Sequence, residues 1–289
     1  MNILFSTLLG LVALLGSSPL ASASSEVYAR STSTVGTGDS DAQSAPSGSV
    51  SDSYADADTQ ATAIGRSAAA FGVLRTFADT NLPVGSSLSS RFTTSIAAFK
   101  DDFLFDAPGL TGTTGSVTVR FTIDGSLNSV ANGTSPSSAY ANNTWAQAQY
   151  GFGVGIGYGT NTKTYRVFAD GHTTGTPFLG IQQEAILTFT YGVPLTDVTL
   201  QVGALNAVAA QFSNYTSRST ADLEHTALWG GFAEVRDAGG APVTNYTFSS
   251  ASGLNYVVPV PEPATTSLFL LSGLVLSVTR PRPRRTAGL

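Results

Sequence analysis

Side chains that perform acid–base or nucleophilic chemistry are sparse in this chain of 289 residues, which has no cysteine and only two histidines. His172 and His225 are far apart in the sequence, and neither stands beside a serine-centred elbow or a His-rich metal motif. A glycosidase needs two carboxylates that face each other across a cleft. The sequence favours no pair among Asp124, Glu184, Glu224 and Glu234. We therefore predict no catalytic residues and no enzymatic activity, with an extracellular glycoside hydrolase as the less favoured alternative.

Two groups of aspartates could supply loop oxygens to a calcium ion. The first group is Asp101, Asp102 and Asp106, and the second is Asp52, Asp56 and Asp58. Neither group has the twelve-residue EF-hand pattern with its central glycine and final glutamate. We predict no metal site and no cofactor.

Glycines alternate with large apolar residues from Gly151 to Gly159. The spacing contains that of a nucleotide-binding glycine loop, but no helix follows that could place its N-terminus at a phosphate. In a strand, the same alternation puts the large side chains on one face and bare backbone on the other. We expect a second sheet to pack closely here, with a glycan-contacting groove as the alternative.

Aromatic residues are plentiful, at 10% of the chain, and an aromatic ring can stack on the apolar face of a sugar. We select Trp145, Tyr150 and Tyr158 as candidate glycan contacts. Aromatic side chains more often fill the core of a β-sandwich. A row of aromatics exposed on one strand face would favour a carbohydrate-binding module, and burial of these rings would count against it.

The net charge is −5, and only 11% of the residues are charged. The C-terminal tail holds four arginines and one glutamate, so the body without its tail is more negative still. A body of that sign repels nucleic acid and anionic lipid headgroups. We therefore predict no nucleic-acid partner.

The N-terminus has the order of a secretory signal peptide. An apolar run extends from Ile3 to Leu20, and the small residues Ala21 and Ala23 follow at the spacing that a signal peptidase requires. The segment before the run has no Lys or Arg, so only the terminal amine supplies positive charge there. We predict a signal peptide over residues 1–23, with cleavage after Ala23.

The C-terminus has three successive parts. Pro261, Glu262 and Pro263 precede an apolar run from Leu268 to Leu276, and the chain then closes with the basic residues Arg280, Arg282, Arg284 and Arg285. The prolines keep the first part extended, and the arginines hold the end on the cytoplasmic side of a membrane. This arrangement resembles the PEP-CTERM family of bacterial sorting signals in order, spacing and position. The resemblance implies an exosortase, a membrane protease that acts at or beside the Pro-Glu-Pro element.

The tail is short for a permanent anchor. The sixteen residues from Ala264 to Thr279 span about 24 Å as a helix, against roughly 30 Å of hydrocarbon. The polar residues Thr265, Thr266, Ser267, Ser272 and Ser277 weaken the segment further. We expect export across the inner membrane, transient insertion by this C-terminal helix, and a final location at the cell surface or outside the cell.

Between the two signals, the apolar pattern favours strands. Apolar and polar residues alternate strictly in three runs, which are Val117 to Ile123, Leu187 to Tyr191 and Val198 to Val202. Gly192 to Pro194 marks the break between the last two runs, which we predict to be neighbouring strands. No segment has a clear helical period. We predict an all-β fold, an antiparallel β-sandwich of the jelly-roll kind, flanked by an N-terminal signal helix and a C-terminal hydrophobic helix.

Four regions follow from these patterns. They are a signal peptide (1–23), a low-complexity flexible leader (24–63), a β-sandwich domain (64–258) and the PEP-CTERM sorting signal (259–289). The leader is assigned because its Ser, Thr, Gly, Ala and Asp offer little apolar surface to bury. The body resembles domains found ahead of such sorting tails through residues 121–127, 237–243 and 250–256, and most of those domains have no assigned activity.

Together these patterns predict an exported, non-enzymatic protein of the cell surface or extracellular matrix. Its expected partners are signal peptidase, an exosortase and an exopolysaccharide, as in a biofilm. A carbohydrate-binding module is the alternative function.

Overall fold

The computed structural model describes residues 25–33, 43–57, 61–84, 89–132, 143–155, 162–210 and 216–260. Within these ranges the chain forms β-strands and no α-helix, which confirms the all-β prediction. The predicted signal peptide and the predicted sorting tail from Pro261 onward lie outside the described residues, as do both predicted terminal helices. Over the described ranges, accordingly, there is no helix of the length and apolarity that a membrane span requires.

The described strands are numbered in chain order. They are β1 (Ser25–Ser33), β2 (Gln43–Ala45), β3 (Ser49–Ala57), β4 (Thr62–Ala70), β5 (Val73–Leu82), β6 (Ser89–Asp106), β7 (Thr114–Ile123), β8 (Ser126–Asn132), β9 (Trp145–Val154), β10 (Thr162–Phe168), β11 (Thr173–Gly175), β12 (Gln182–Thr190), β13 (Leu195–Ala210), β14 (Thr216–Asp237) and β15 (Thr247–Ser250).

The strands form two antiparallel sheets that share one core. Sheet A has the order β11-β10-β9-β13-β6-β1-β2, with β15 also paired to β6. Sheet B has the order β12-β7-β14-β5-β4-β3, with β8 paired to β14. Most buried apolar residues of both sheets belong to one cluster, and a small second cluster also joins the two sheets through Leu82 and Val208. The sheets therefore pack face to face in a sandwich-like arrangement.

Alternation in the sequence corresponds to alternation of burial. In β7, Val117, Val119, Phe121 and Ile123 are buried, while the residues between them lie on the outer face of sheet B. The predicted half-buried strand is therefore confirmed. The same period-two burial holds along β12, where Leu187 and Phe189 are buried. In β13, Val198, Leu200 and Val202 enter the shared core, but the residues between them are buried as well.

The two runs on either side of Gly192 are not neighbouring strands, so that prediction is wrong. β12 is the edge strand of sheet B and pairs with β7, whereas β13 lies in the middle of sheet A between β6 and β9. Gly192 has a φ of +75°, and its N–H donates to the carbonyl of Phe105 in sheet A. The chain therefore crosses from one sheet to the other at this turn. The alternation of apolar residues could not predict the crossing, because a strand of either sheet presents alternate side chains to the same core.

The prediction of a flexible leader over residues 24–63 is wrong for its described part. β1 pairs with β6 over nine residues, and Val27, Ala29 and Ser31 are fully buried. The sheets are close together at this point, because a Cβ added at Gly65 would lie 3.0 Å from Ser31 Cβ. Only small side chains fit such a gap. The abundance of Ser, Thr, Gly and Ala, which indicated disorder in the sequence, is therefore what allows this strand to pack between the sheets.

The interior of the sandwich is aromatic toward one end and rich in hydroxyl groups toward the other. At the aromatic end, the Trp229 ring lies 6.1 Å from Phe103 and 5.0 Å from Tyr256. At the hydroxyl end, Thr80 Oγ1 lies 2.6 Å from Thr93 Oγ1 and donates to Asn206 Oδ1 at 2.6 Å. These hydrogen bonds offset the cost of burying polar groups between two sheets.

The sandwich extends beyond its predicted end at residue 258. Trp229 Nε1 donates to the Tyr256 carbonyl at 2.8 Å, and the Val260 N–H donates to the Trp229 carbonyl at 3.0 Å. The Val260 side chain also packs against the core beside Gly72. Pro259 and Val260, assigned from sequence to the sorting signal, therefore belong to the folded body.

Candidate functional site

Tyr150, a predicted glycan contact, lies in the core instead of on a surface. It is 5% exposed, and its ring centroid lies 5.2 Å from Phe121 and 4.8 Å from Phe178 in edge-on contacts. Its hydroxyl donates to Gln183 Oε1 at 2.9 Å across the two sheets. The ring is thus enclosed by neighbouring side chains, and Tyr158 lies outside the described residues.

Trp145 lies on the outer face of sheet A, at the first position of β9. The Arg166 guanidinium carbon lies 4.0 Å from the Trp145 ring centroid, and the Phe92 ring lies 6.0 Å away. Arg166 is held there by a hydrogen bond from its Nε to Gln147 Oε1 at 2.9 Å. The Trp145 ring therefore carries a stacked cation, and a sugar could not stack on that face without displacing it.

A short row of amides continues from Arg166 along the same face. Gln147 Nε2 donates to Gln149 Oε1 at 3.1 Å. Gln149 is 7% exposed, and its Nε2 has no hydrogen-bond partner among the described residues. The row is thus a fixed polar network with one unused donor at its end.

The two histidines lie on different sheets and form no common site. In the turn after β10, the ring of His172 stacks on Phe168 at 3.9 Å, and its Nδ1 lies 2.5 Å from Asp170 Oδ1. The His172 backbone N–H and its ring lower the pKa of Asp170. His225 is exposed in β14 of sheet B.

Asp101 serves as an internal cap for a turn near the end of the described chain. It is fully buried and accepts hydrogen bonds from the Ser252 N–H at 3.0 Å, from the Ser252 hydroxyl, and from the Asp102 N–H at 2.9 Å. Burial raises the pKa of the Asp101 carboxyl, although these donors oppose the shift. Burial, with the nearby Asp101 charge, also raises the pKa of Tyr256.

The neighbouring aspartates serve other turns. Asp102 Oδ1 accepts the N–H of Asp197, whose φ of 59° lies in the left-handed region, at 2.9 Å. Asp106 Oδ1 accepts from the Ala107 N–H and the Thr111 hydroxyl, each at 2.9 Å. Across the described ranges, no three acidic, His or Cys side chains converge in a way that could hold a metal ion.

Glu184 and Glu234, two of the four carboxylates considered for a glycosidase, line the same depression. The sequence did not indicate that they lie together. This depression, the β7–β14 groove, lies on the outer face of sheet B and has a volume of about 600 Å³. Arg120 Nε lies 2.8 Å from Glu184 Oε1, and Arg236 Nε lies 2.8 Å from Glu234 Oε2. The strand register could have revealed this, because Glu184 pairs with Arg120 and Glu234 pairs with Thr118, two residues away in β7.

The β7–β14 groove combines ion pairs with apolar side chains. Both carboxylates accept an arginine N–H, whereas a glycosidase needs one carboxylic acid that keeps a proton to donate. The lining also includes Phe232, Pro242 and Tyr246, although the Phe232 ring packs against Phe105 of the core at 5.3 Å. Burial raises the pKa of the Tyr246 hydroxyl. Ion pairs and apolar side chains in one groove make a surface that can hydrogen-bond and contact a saccharide.

Comparisons with protein-family models, with curated proteins and with solved structures found no match to this chain.

Proposed function

We propose that this chain is an exported, exosortase-processed protein of the cell surface or extracellular matrix, non-enzymatic and associated with an exopolysaccharide or biofilm. A signal peptidase removes the N-terminal segment, and an exosortase then acts at the Pro-Glu-Pro motif. Between these steps the C-terminal segment holds the protein in the membrane.

The position of the two predicted cleavage sites relative to the folded body supports this proposal. β1 begins at Ser25, two residues after Ala23. The last described contact with the core is made by Val260, directly before Pro261. Both cuts would therefore leave every described strand in place, as a sorting signal attached to a domain requires.

The sorting proposal can be tested in a bacterial host that has an exosortase. We expect Glu262→Ala, or truncation from Arg280, to leave the protein full length and membrane-retained, because each removes one part of the tripartite signal. Intact-mass measurement of the membrane and medium fractions reads out both properties. Glu184→Ala, which changes a glutamate of the body, should be processed and released like the wild type. Normal release of either tail variant would refute the proposal.

A second candidate function is carbohydrate binding, and the β7–β14 groove favours it. The groove joins paired charges to apolar side chains on an outer sheet face, and its size admits a saccharide. Glycan-array binding by the purified, processed protein tests this function. We expect Tyr246→Ala to weaken binding about tenfold or more, since it removes an apolar contact of the groove wall.

Ile64→Ala supplies the matched control for the groove variant, because Ile64 is a partly exposed side chain on β4 of the same sheet. Its binding should equal that of the wild type. An array on which the wild type binds nothing would leave the structural role as the function of the body. Equal binding by wild type and Tyr246→Ala would exclude the groove as the binding surface.

A further inference from the structure

A second depression on sheet B surrounds Arg75, whose Nε has no hydrogen-bond partner among the described residues. Two adjoining hollows of about 290 and 210 Å³ lie on the outer face of β3, β4 and β5, and both are lined by Ser51, Ala68 and Arg75. We call them together the Arg75 groove. Arg75 is oriented outward because Leu74 and Thr76, its neighbours in β5, are buried.

Every other charged side chain in the Arg75 groove is already engaged. Arg66 donates to both carboxylate oxygens of Glu224, at 2.7 and 2.9 Å, and stacks over the Phe77 ring at 4.3 Å. Asp52 Oδ2 accepts the Ser31 N–H at 2.6 Å. Within the described ranges, Arg75 Nε is buried and makes no hydrogen bond. A buried donor without an acceptor costs free energy that a bound acceptor would recover.

The strand register explains the flat floor of the Arg75 groove. Ser51 of β3 pairs with Ala68 of β4, which pairs with Arg75 of β5, and Ser49 pairs with Ala70 in the adjoining row. These small side chains form a shallow surface with hydroxyls on one side and methyl groups on the other. The face of a sugar ring could lie on this surface while a charged substituent of the sugar reached Arg75.

A bulge in β14 leaves room beside Arg75. The pairing of β5 with β14 passes from Thr76 opposite Leu223 to Leu74 opposite Ala227. One residue of β5, Arg75, therefore faces three residues of β14. Bulges bend a strand and redirect its side chains, and here the bulge sends Glu224 to Arg66 and leaves Arg75 without a carboxylate.

We propose that the Arg75 groove binds a saccharide unit bearing one carboxylate, such as a uronic acid, with Arg75 as the anion anchor. A guanidinium matches a carboxylate in shape and forms charge-assisted hydrogen bonds with it. Arg66 and Glu224 neutralise each other in this groove, and the Asp52 carboxylate is turned toward Ser31 of the other sheet. Arg75 therefore contributes a single positive charge, which matches a singly charged sugar better than multiply charged phosphate or sulfate groups. The site rests on this geometry alone and is separate from the β7–β14 groove.

The test measures binding of a galacturonic acid trimer and of the matching neutral galactose trimer by calorimetry. The full-length protein is used, kept in solution with a non-ionic detergent that has no sugar headgroup. We expect the acidic trimer to bind and the neutral trimer to bind at least about tenfold more weakly. The acidic affinity should also fall as salt is raised, since a solvent-accessible ion pair is screened.

Arg75→Gln should weaken binding of the acidic trimer about tenfold or more and leave the weak neutral binding unchanged. Ala68→Leu, which fills the floor without changing charge, should weaken binding of both trimers. Arg120→Gln, which removes an arginine from the β7–β14 groove, should bind as the wild type does. A thermal melt of each variant confirms that it is folded.

Three results would overturn the proposal. One is failure of the wild type to bind the acidic trimer at millimolar concentration, and another is undiminished binding by Arg75→Gln. The third is equal competition by inorganic phosphate, which would show a general anion site. These outcomes are independent of how the protein is exported or processed.

Discussion

At the scale of single residues, polar groups inside the sandwich act as structural anchors. Asp101 is the clearest case, because a fully buried carboxylate holds the Ser252 turn through that residue's N–H and hydroxyl. The aspartate pair at Asp101 and Asp102 looks like a calcium loop in the sequence. In the fold, the two side chains stabilise two separate turns.

Asp101 should make stability depend on pH. Its pKa is raised in the folded protein, so its contribution to the free energy of unfolding is full below the unfolded pKa of about 3.9 and is lost as pH rises through the folded pKa. Asp101→Asn lacks this titration. We therefore expect the wild type to lose stability relative to Asp101→Asn as pH is raised from 3 to 7 in denaturant unfolding experiments.

Glu26→Gln is the control for the Asp101 experiment, because Glu26 is a partly exposed carboxylate on β1, 3.7 Å from Lys100. Its stability relative to the wild type should change little over the same pH range. If the free energies of unfolding of the wild type and Asp101→Asn differ by the same amount at every pH, the raised pKa of Asp101 is contradicted.

At the scale of elements, the narrow end of the sandwich depends on small side chains. β1 in sheet A packs against β4 in sheet B, where Ser95 Oγ donates to Ser31 Oγ at 3.0 Å and Ser67 Oγ lies 3.2 Å away. No large apolar residue of β1 other than Val27 enters the core. The element is held by its nine-residue pairing with β6 and by this hydroxyl contact.

Gly65→Ala tests this close packing. The added Cβ would lie 2.9 Å from Ser95 Oγ and 3.0 Å from Ser31 Cβ, so we expect a loss of about 1–3 kcal/mol in the free energy of unfolding. Ser95→Gly in the same chain should recover part of the loss by removing one clashing atom. Gly239→Ala in an exposed turn, where the nearest atom is 3.4 Å away, should cost far less; an equal cost would refute the explanation.

At the scale of the whole molecule, residues 256–260, directly before the predicted sorting motif, close the aromatic end of the sandwich. Tyr256 is fully buried, and the Val260 N–H donates a hydrogen bond to the Trp229 carbonyl. The segment after β15 therefore covers this end of the core. A protease acting at Pro261 would work directly beside this packed segment.

The boundary can be tested by comparing chains that span residues 24–260 and 24–258. We expect the shorter chain to be less stable by about 1–2 kcal/mol, because it loses one backbone hydrogen bond and the packing of Val260. Chemical denaturation of both chains measures the difference. A Val260→Ala variant of the longer chain should show a smaller loss, since it keeps the hydrogen bond. Equal stability of all three would place the end of the domain before Val260.

The sequence by itself determined the all-β class and the faces of strands such as β7, because period-two burial is a local property of the chain. The terminal signals were also predicted from the sequence alone, because they are linear motifs. Only the tertiary structure decided that β12 and β13 lie in different sheets, that Ser31 belongs to the core, and that Tyr150 is enclosed. It also brought Glu184 and Glu234 to one groove and left Arg75 Nε without a hydrogen-bond partner among the described residues. Those outcomes depend on register and on the gap between sheets, which involve residues far apart in the chain and leave no local pattern.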